Sequence, residues 1–104
     1  MIARQWHGWT SRDNADAYQE LFRSRGSNVH GEDGSMGAYL LRRDDGDEVE
    51  FIVQRFFVSM DAVRAKFGDD YEVAGLIPGA EKILSRYNNK CDHFEIVDEP
   101  SRSQ

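Results

Sequence analysis

Over residues 48–58 the chain alternates so that bulky apolar groups fall on both sides of a strand, with Val49, Phe51, Val53 and Phe57 pointing one way and Ile52, Phe56 and Val58 the other. A strand with one wet face alternates apolar with polar residues, so this one predicts cover on both faces. Residues 2–10 read as a first strand. A helix capped by Ser11 follows, with Ala15, Tyr18, Leu21, Phe22 and Arg25 at helical spacing and Gly26 at its end. Residues 26–35 are rich in glycine and polar groups and predict a loop. Residues 36–43 form a second strand, and Asp45-Gly46 turns it into the 48–58 strand as a hairpin. Ser59 caps a helix in which Met60, Val63 and Phe67 share a face and Gly68 is the stop, and Asp69 caps a short turn through Tyr71 and Val73. Pro78 then suits the first turn of a helix striped by Ala80, Ile83, Leu84 and Tyr87. Residues 91–98 alternate as a last strand, ahead of a polar tail over 99–104.

The predicted order is βαββαβ, an α+β ferredoxin-like arrangement with a four-stranded antiparallel sheet, forming a single domain over residues 1–98. Right-handed crossovers put both helical segments on one face of that sheet. The other face is then bare although it carries large apolar residues, and a second copy packed face to face is the simplest cover. The expected assembly is a homodimer, a dimeric α/β barrel with a cavity in each half.

Composition narrows the classes of partner. A chain of 104 residues with 39% hydrophobic content supports one core. Thirteen basic against 19 acidic residues leave a net charge of -6, which argues against nucleic acid and against anionic membrane. The N-terminus lacks the apolar run of a signal peptide and no segment is long enough to span a bilayer, so a cytoplasmic protein is expected. Cys91 is the single cysteine, which leaves no intrachain disulfide and no cysteine-rich zinc motif.

Four segments carry a resemblance: the opening Ile2-Ala3-Arg4-Gln5-Trp6-His7-Gly8-Trp9-Thr10, the core Asp47-Glu48-Val49-Glu50-Phe51, the run from Phe57-Val58-Ser59-Met60 through Phe67, and the ending His93-Phe94-Glu95-Ile96-Val97. Together they resemble the antibiotic biosynthesis monooxygenase-like proteins of the dimeric α/β barrel superfamily. The resemblance implies a homodimer with a pocket between helices and sheet in each subunit. It also implies oxidation of quinol-like aromatic or polyketide-type small molecules by dioxygen without metal or flavin, or, in relatives, haem degradation. Residues 59–87 contain no histidine to ligate haem iron, and Phe67 stands where the haem-degrading relatives carry tryptophan, so the expectation is a protein with no cofactor.

Oxygenation without a cofactor requires a base to remove a substrate proton inside an apolar pocket, and histidine suits that near neutral pH. His93 and His7 are the candidates, each with the alternative of a histidine bonded within the sheet. His30 falls in the loop and reads as solvated. Trp6 and Trp9 point to opposite faces of the first strand, so one can line a pocket while the other packs elsewhere. Arg4 and Arg55 sit in otherwise apolar strands, where they either hold a substrate anion or pair with Glu50 or Glu95. Phe67 and Tyr71 complete the candidate substrate-binding set of Trp6, Trp9, Arg55, Phe67 and Tyr71. Cys91, His93 and Glu95 share a strand face that His7 could join, but no ligand spacing supports a metal, and no metal site is assigned. The carboxylates of Asp44, Asp45, Asp47 and Glu48 read as a solvated turn.

Overall fold

A computed structural model of the chain describes residues 1–26 and 34–100. The first strand, β1 (Ile2–Ser11), leads through a 3₁₀ turn at Arg12–Asn14 into α1 (Ala15–Leu21), which loosens into a π turn at Phe22–Gly26. The hairpin of β2 (Ser35–Asp45) and β3 (Glu48–Phe57) follows, then α2 (Met60–Phe67), a 3₁₀ turn at Ala80–Lys82, β4 (Leu84–Tyr87) and β5 (Asp92–Glu95). Both predicted caps form: the Ser11 hydroxyl accepts from the Asn14 N–H and the Ser59 hydroxyl from the Ala62 N–H. Gly68, at φ +79°, ends α2 in a backbone conformation that a side chain disfavours.

The structure is α+β with one five-stranded antiparallel sheet, compatible with a ferredoxin-like fold. The order is β2-β3-β1-β4, and β5 also pairs with β1, so β1 is central and its second edge is shared by two short strands. The sequence predicts one long strand there and a helix after Pro78, and both are corrected. Gly79 takes φ +94°, which stops a regular helix from starting, and only a single turn forms before the chain straightens. Leu84 to Tyr87 then add to the free edge of β1 opposite Thr10, Trp9 and Gly8, and the Ser85 hydroxyl donates to the Trp9 carbonyl. The apolar stripe that looked helical is instead part edge strand, because an unpaired sheet edge satisfies more backbone groups than an isolated turn. The last strand is correspondingly shorter than 91–98, and the loop and tail positions 27–33 and 101–104, His30 included, lie outside the described residues.

Alternation along β1 divides the molecule. Ile2, Arg4, Trp6, Gly8 and Thr10 are buried under the helices, whereas Ala3, Gln5, His7, Trp9 and Ser11 lie on the other face and are half-exposed. On the covered side, Tyr18 and Phe22 of the first helical segment pack on Trp6, Phe51 and Val53, while Val63 of α2 packs with Ile2 and Phe57. The segment Ala74–Ile77 has no regular structure and lies against the first of these clusters. It is anchored where the Ala74 N–H donates to Asn89 O at 2.8 Å and the Cys91 N–H to Glu72 O at 2.7 Å.

Candidate functional site

One cross-strand row on the helix-covered face organises the site. Pairing places Ala38 of β2, Arg55 of β3, Arg4 of β1 and His93 of β5 side by side. Directly paired residues share a face, so two guanidinium groups and an imidazole adjoin beneath the helices.

Arg4 is only 7% exposed. Its Nη2 donates to the carbonyl oxygens of Tyr71 at 2.9 Å and Val73 at 3.3 Å, and its Cζ lies 3.9 Å from the centre of the Phe67 ring. The ring is itself set edge-on against Phe57, so Phe67 is the platform that holds Arg4. Arg55 lies 5.9 Å from the Phe22 ring centre. Arg4 Nε and Arg55 Nη1 are buried and have no hydrogen-bond partner among the described residues. The expected ion pair to Glu50 or Glu95 does not form: Glu50 projects from the opposite face of the sheet, and neither arginine is bonded to a carboxylate among the described residues. Burial lowers the pKa of both guanidinium groups from its usual value, and Arg4 adds to the effect at Arg55.

Between the arginines and the Ala74–Ile77 segment is a cavity of about 40 Å³, lined also by Trp6, Tyr18, Val53 and Cys91. Trp6 reaches it because position 8 is glycine: a Cβ there would come within 2.4 Å of the indole ring. The indole N–H donates to Asn88 O at 2.8 Å, which fixes the ring. Burial pushes the Tyr18 hydroxyl up to about 12 and the Cys91 thiol above its ordinary value, so both are neutral near pH 7.

Cys91 also borders a larger, open hollow of about 420 Å³ at the β5 edge of the sheet, whose walls include His93, Tyr71 and the carboxylates of Glu72 and Asp92. The His93 and Tyr71 rings meet edge to face at 5.2 Å, and the buried His93 Nε2 has no partner among the described residues. Burial first, and Arg4 second, lower the His93 pKa against the opposing charges of Glu72 and Asp92, which keeps the imidazole neutral at pH 7.

The other two candidates, His7 and Trp9, lie on the bare face. Gln54 Nε2 donates to Gln5 Oε1 at 2.9 Å, and Gln5 Nε2 lies 3.2 Å from His7 Nε2. His7 Nδ1 lies 2.8 Å from Glu50 Oε2, and Arg43 Nε donates to Glu50 Oε1 at 2.6 Å. This chain assigns the Nδ1–H tautomer to His7, with Nε2 accepting from Gln5. The His7 bond, ahead of Arg43, holds the Glu50 carboxyl below the usual range. His7 and His93 are therefore on opposite sides of the sheet, which also separates His7 from the Cys91 face, and no group of three metal-ligating side chains forms among the described residues. The Trp9 indole donates to Asp45 Oδ2 at 3.1 Å and is covered by Arg86, whose Cζ is 4.0 Å from the ring. Glu48 is likewise tied to Arg86 and Ser85, so the carboxylates of the hairpin are partly engaged rather than merely solvated.

Of the substrate-binding candidates, Trp6 and Arg55 line the small cavity, Tyr71 lines the larger hollow, Phe67 supports Arg4, and Trp9 is on the other face. Tyr18, Cys91 and residues 74–77 are further lining groups absent from that set. Tyr18 had a signal, since it falls on the buried stripe of the first helix. Residues 74–77 had none, because neither helical nor strand periodicity marks an irregular segment.

No protein-family model matches the chain, and comparison with curated proteins gives no match. Among solved structures the chain is similar to Rv0793 from Mycobacterium tuberculosis, at 19% identity and a TM-score of 0.58, over 96% of this chain and 98% of that one. At that identity the likeness concerns the fold alone.

Proposed function

We propose that the chain is a cofactor-independent monooxygenase-like protein acting on a small aromatic or polyketide-type substrate from the helix-covered face, as a homodimer in a dimeric α/β barrel. The observation that carries this reading is His93, which borders an open hollow, pairs across the sheet with Arg4 and keeps a buried ring nitrogen without a partner among the described residues. The oxygenase part of the reading draws on the sequence resemblance to antibiotic biosynthesis monooxygenase-like proteins.

In this reading His93 accepts a proton from an acidic CH₂ or phenol of the substrate, and the adjoining guanidinium groups favour the resulting anion. The electron-rich anion gives one electron to dioxygen, and the radical and superoxide combine as a peroxide on carbon. The peroxide recovers the proton from His93 and loses water, leaving a carbonyl. For a CH₂ substrate the balance is CH₂ plus O₂ to C=O plus H₂O, with dioxygen as the only co-reactant.

The homodimer has its own support. The chain is a slab with extents of 39 × 36 × 22 Å and a radius of gyration of 14.3 Å, against about 13 Å for a compact chain of this length. Its bare sheet face exposes Tyr39 at 65%, Phe94 at 51% and Leu41 at 42% around Ile52 and Phe56.

The test is oxygen uptake against anthrones and quinols with a metal chelator present. Wild type is expected to accelerate uptake over buffer, and His93→Ala to lose about 100-fold or more of that rate while keeping the dimer and its melting temperature. Uptake at the buffer rate, or an equally active His93→Ala protein, overturns the proposal. A second reading, a dimeric small-molecule binder without turnover, draws on the walls of the 40 Å³ cavity, which include no histidine among the described residues. Ligand binding without uptake would favour it.

A further inference from the structure

The helix-covered face holds two positive charges at paired positions with nothing described to neutralise them. Arg4 and Arg55 are direct partners across the two central strands, which brings their Cβ atoms to about 5 Å, and like charges so placed repel. Arg4 is more than nine-tenths buried. Two peptide carbonyls and an aromatic ring hold it in position, but none of them carries a negative charge. Each guanidinium keeps a buried N–H without a partner, Nε of Arg4 and Nη1 of Arg55.

A buried cation normally has a carboxylate beside it. This chain has 19 acidic residues to draw on, yet none lines the cavity between the two arginines among the described residues. Glu50 is on the far side of the sheet, engaged by His7 and Arg43. Tyr18 and Cys91, the remaining ionisable groups in the wall, are neutral near pH 7 and do not compensate. The pair is thus positioned by the fold and left electrostatically open.

We propose that the space between Arg4 and Arg55 is a subsite for a carboxylate of the small-molecule ligand. It deepens the reading above by naming a group on the substrate, and it rests on that reading only in placing the ligand on this face. The cavity of about 40 Å³ suits a small planar anion rather than an aromatic ring, and two guanidinium groups offer the forked donors that a carboxylate matches. Cys91 borders both this cavity and the larger hollow beside His93.

Benzoate is the probe, with benzyl alcohol as its neutral counterpart, titrated into the intact protein at low ionic strength. Wild type should bind benzoate at least about tenfold more tightly than benzyl alcohol, and Arg55→Gln should lose that preference. Equal affinities in wild type, or an unchanged preference in Arg55→Gln, overturn the subsite. The wild-type protein gives a second readout that needs no variant: the Arg4 and Arg55 Nε–H signals in nuclear magnetic resonance should move with benzoate and not with benzyl alcohol. Their indifference to benzoate would also overturn it. Oxygen uptake is measured separately. Benzoate selectivity in a protein that consumes no oxygen upholds the subsite while removing the oxygenase reading, and uptake without benzoate selectivity does the reverse.

Discussion

The two faces of β1 solve the problem of buried polar groups in opposite ways. On the bare face, Gln54, Gln5, His7, Glu50 and Arg43 are bonded in an unbroken chain in which acid meets base. On the covered face, Arg4 and Arg55 stand together without an acid among the described residues, and His93 keeps an unused ring nitrogen among them. A satisfied network costs little to bury and fixes geometry, as an interface between subunits requires. An unsatisfied one is costly until something binds, which is the mark of a site. In the proposed reading the bare face serves association and the covered face the ligand.

The largest effect that can break this comparison is a charge on the bare face. Ile52 pairs with His7 and Leu41 at its centre. In a face-to-face dimer Ile52→Asp buries a carboxylate with no added partner, at a cost of several kcal/mol. Light scattering should read twice the 11.9 kDa chain mass for wild type at micromolar concentration and the chain mass for the variant. A monomeric wild type contradicts the division at once.

A smaller effect concerns His93. Its pKa in the folded chain is lowered, so between that value and about 6.5 the unfolded chain binds the proton more readily, and stability rises with pH. The contribution is therefore complete above pH 6.5 and is lost as pH falls toward the folded value. Melting temperature should fall below pH 6.5 more steeply for wild type than for His93→Gln. Parallel curves would show that His93 is not held neutral by its surroundings.

Much of this was legible in the sequence because alternation is. The two-faced pattern of β3 located both the covered and the bare side, and the interruption of apolar β1 by Arg4 marked a buried cation. What periodicity could not reveal was the partner of each charge. Glu50 looked available to Arg4 and Arg55, but its parity on β3 puts it with His7, and strand parity becomes decisive only once the register Arg4 to Arg55 is known. The stripe of Ala80, Ile83, Leu84 and Tyr87 misled for another reason: spacing of three and four fits a helix face, yet Gly79 and the open edge of β1 favour a turn followed by a strand. Residues 74–77 were unreadable because their place over the cavity depends on bonds to Asn89 and on the Glu72 to Cys91 contact, far along the chain.

The two tryptophans give the most direct test, since the chain places one on each face. Their indole N–H signals can be followed together by nuclear magnetic resonance during a benzoate titration and then during dilution toward the monomer. The account predicts that benzoate moves the Trp6 signal and leaves Trp9 in place, and that dilution moves Trp9 and leaves Trp6. Benzoate shifting Trp9 alone, or dilution shifting Trp6 alone, would contradict it.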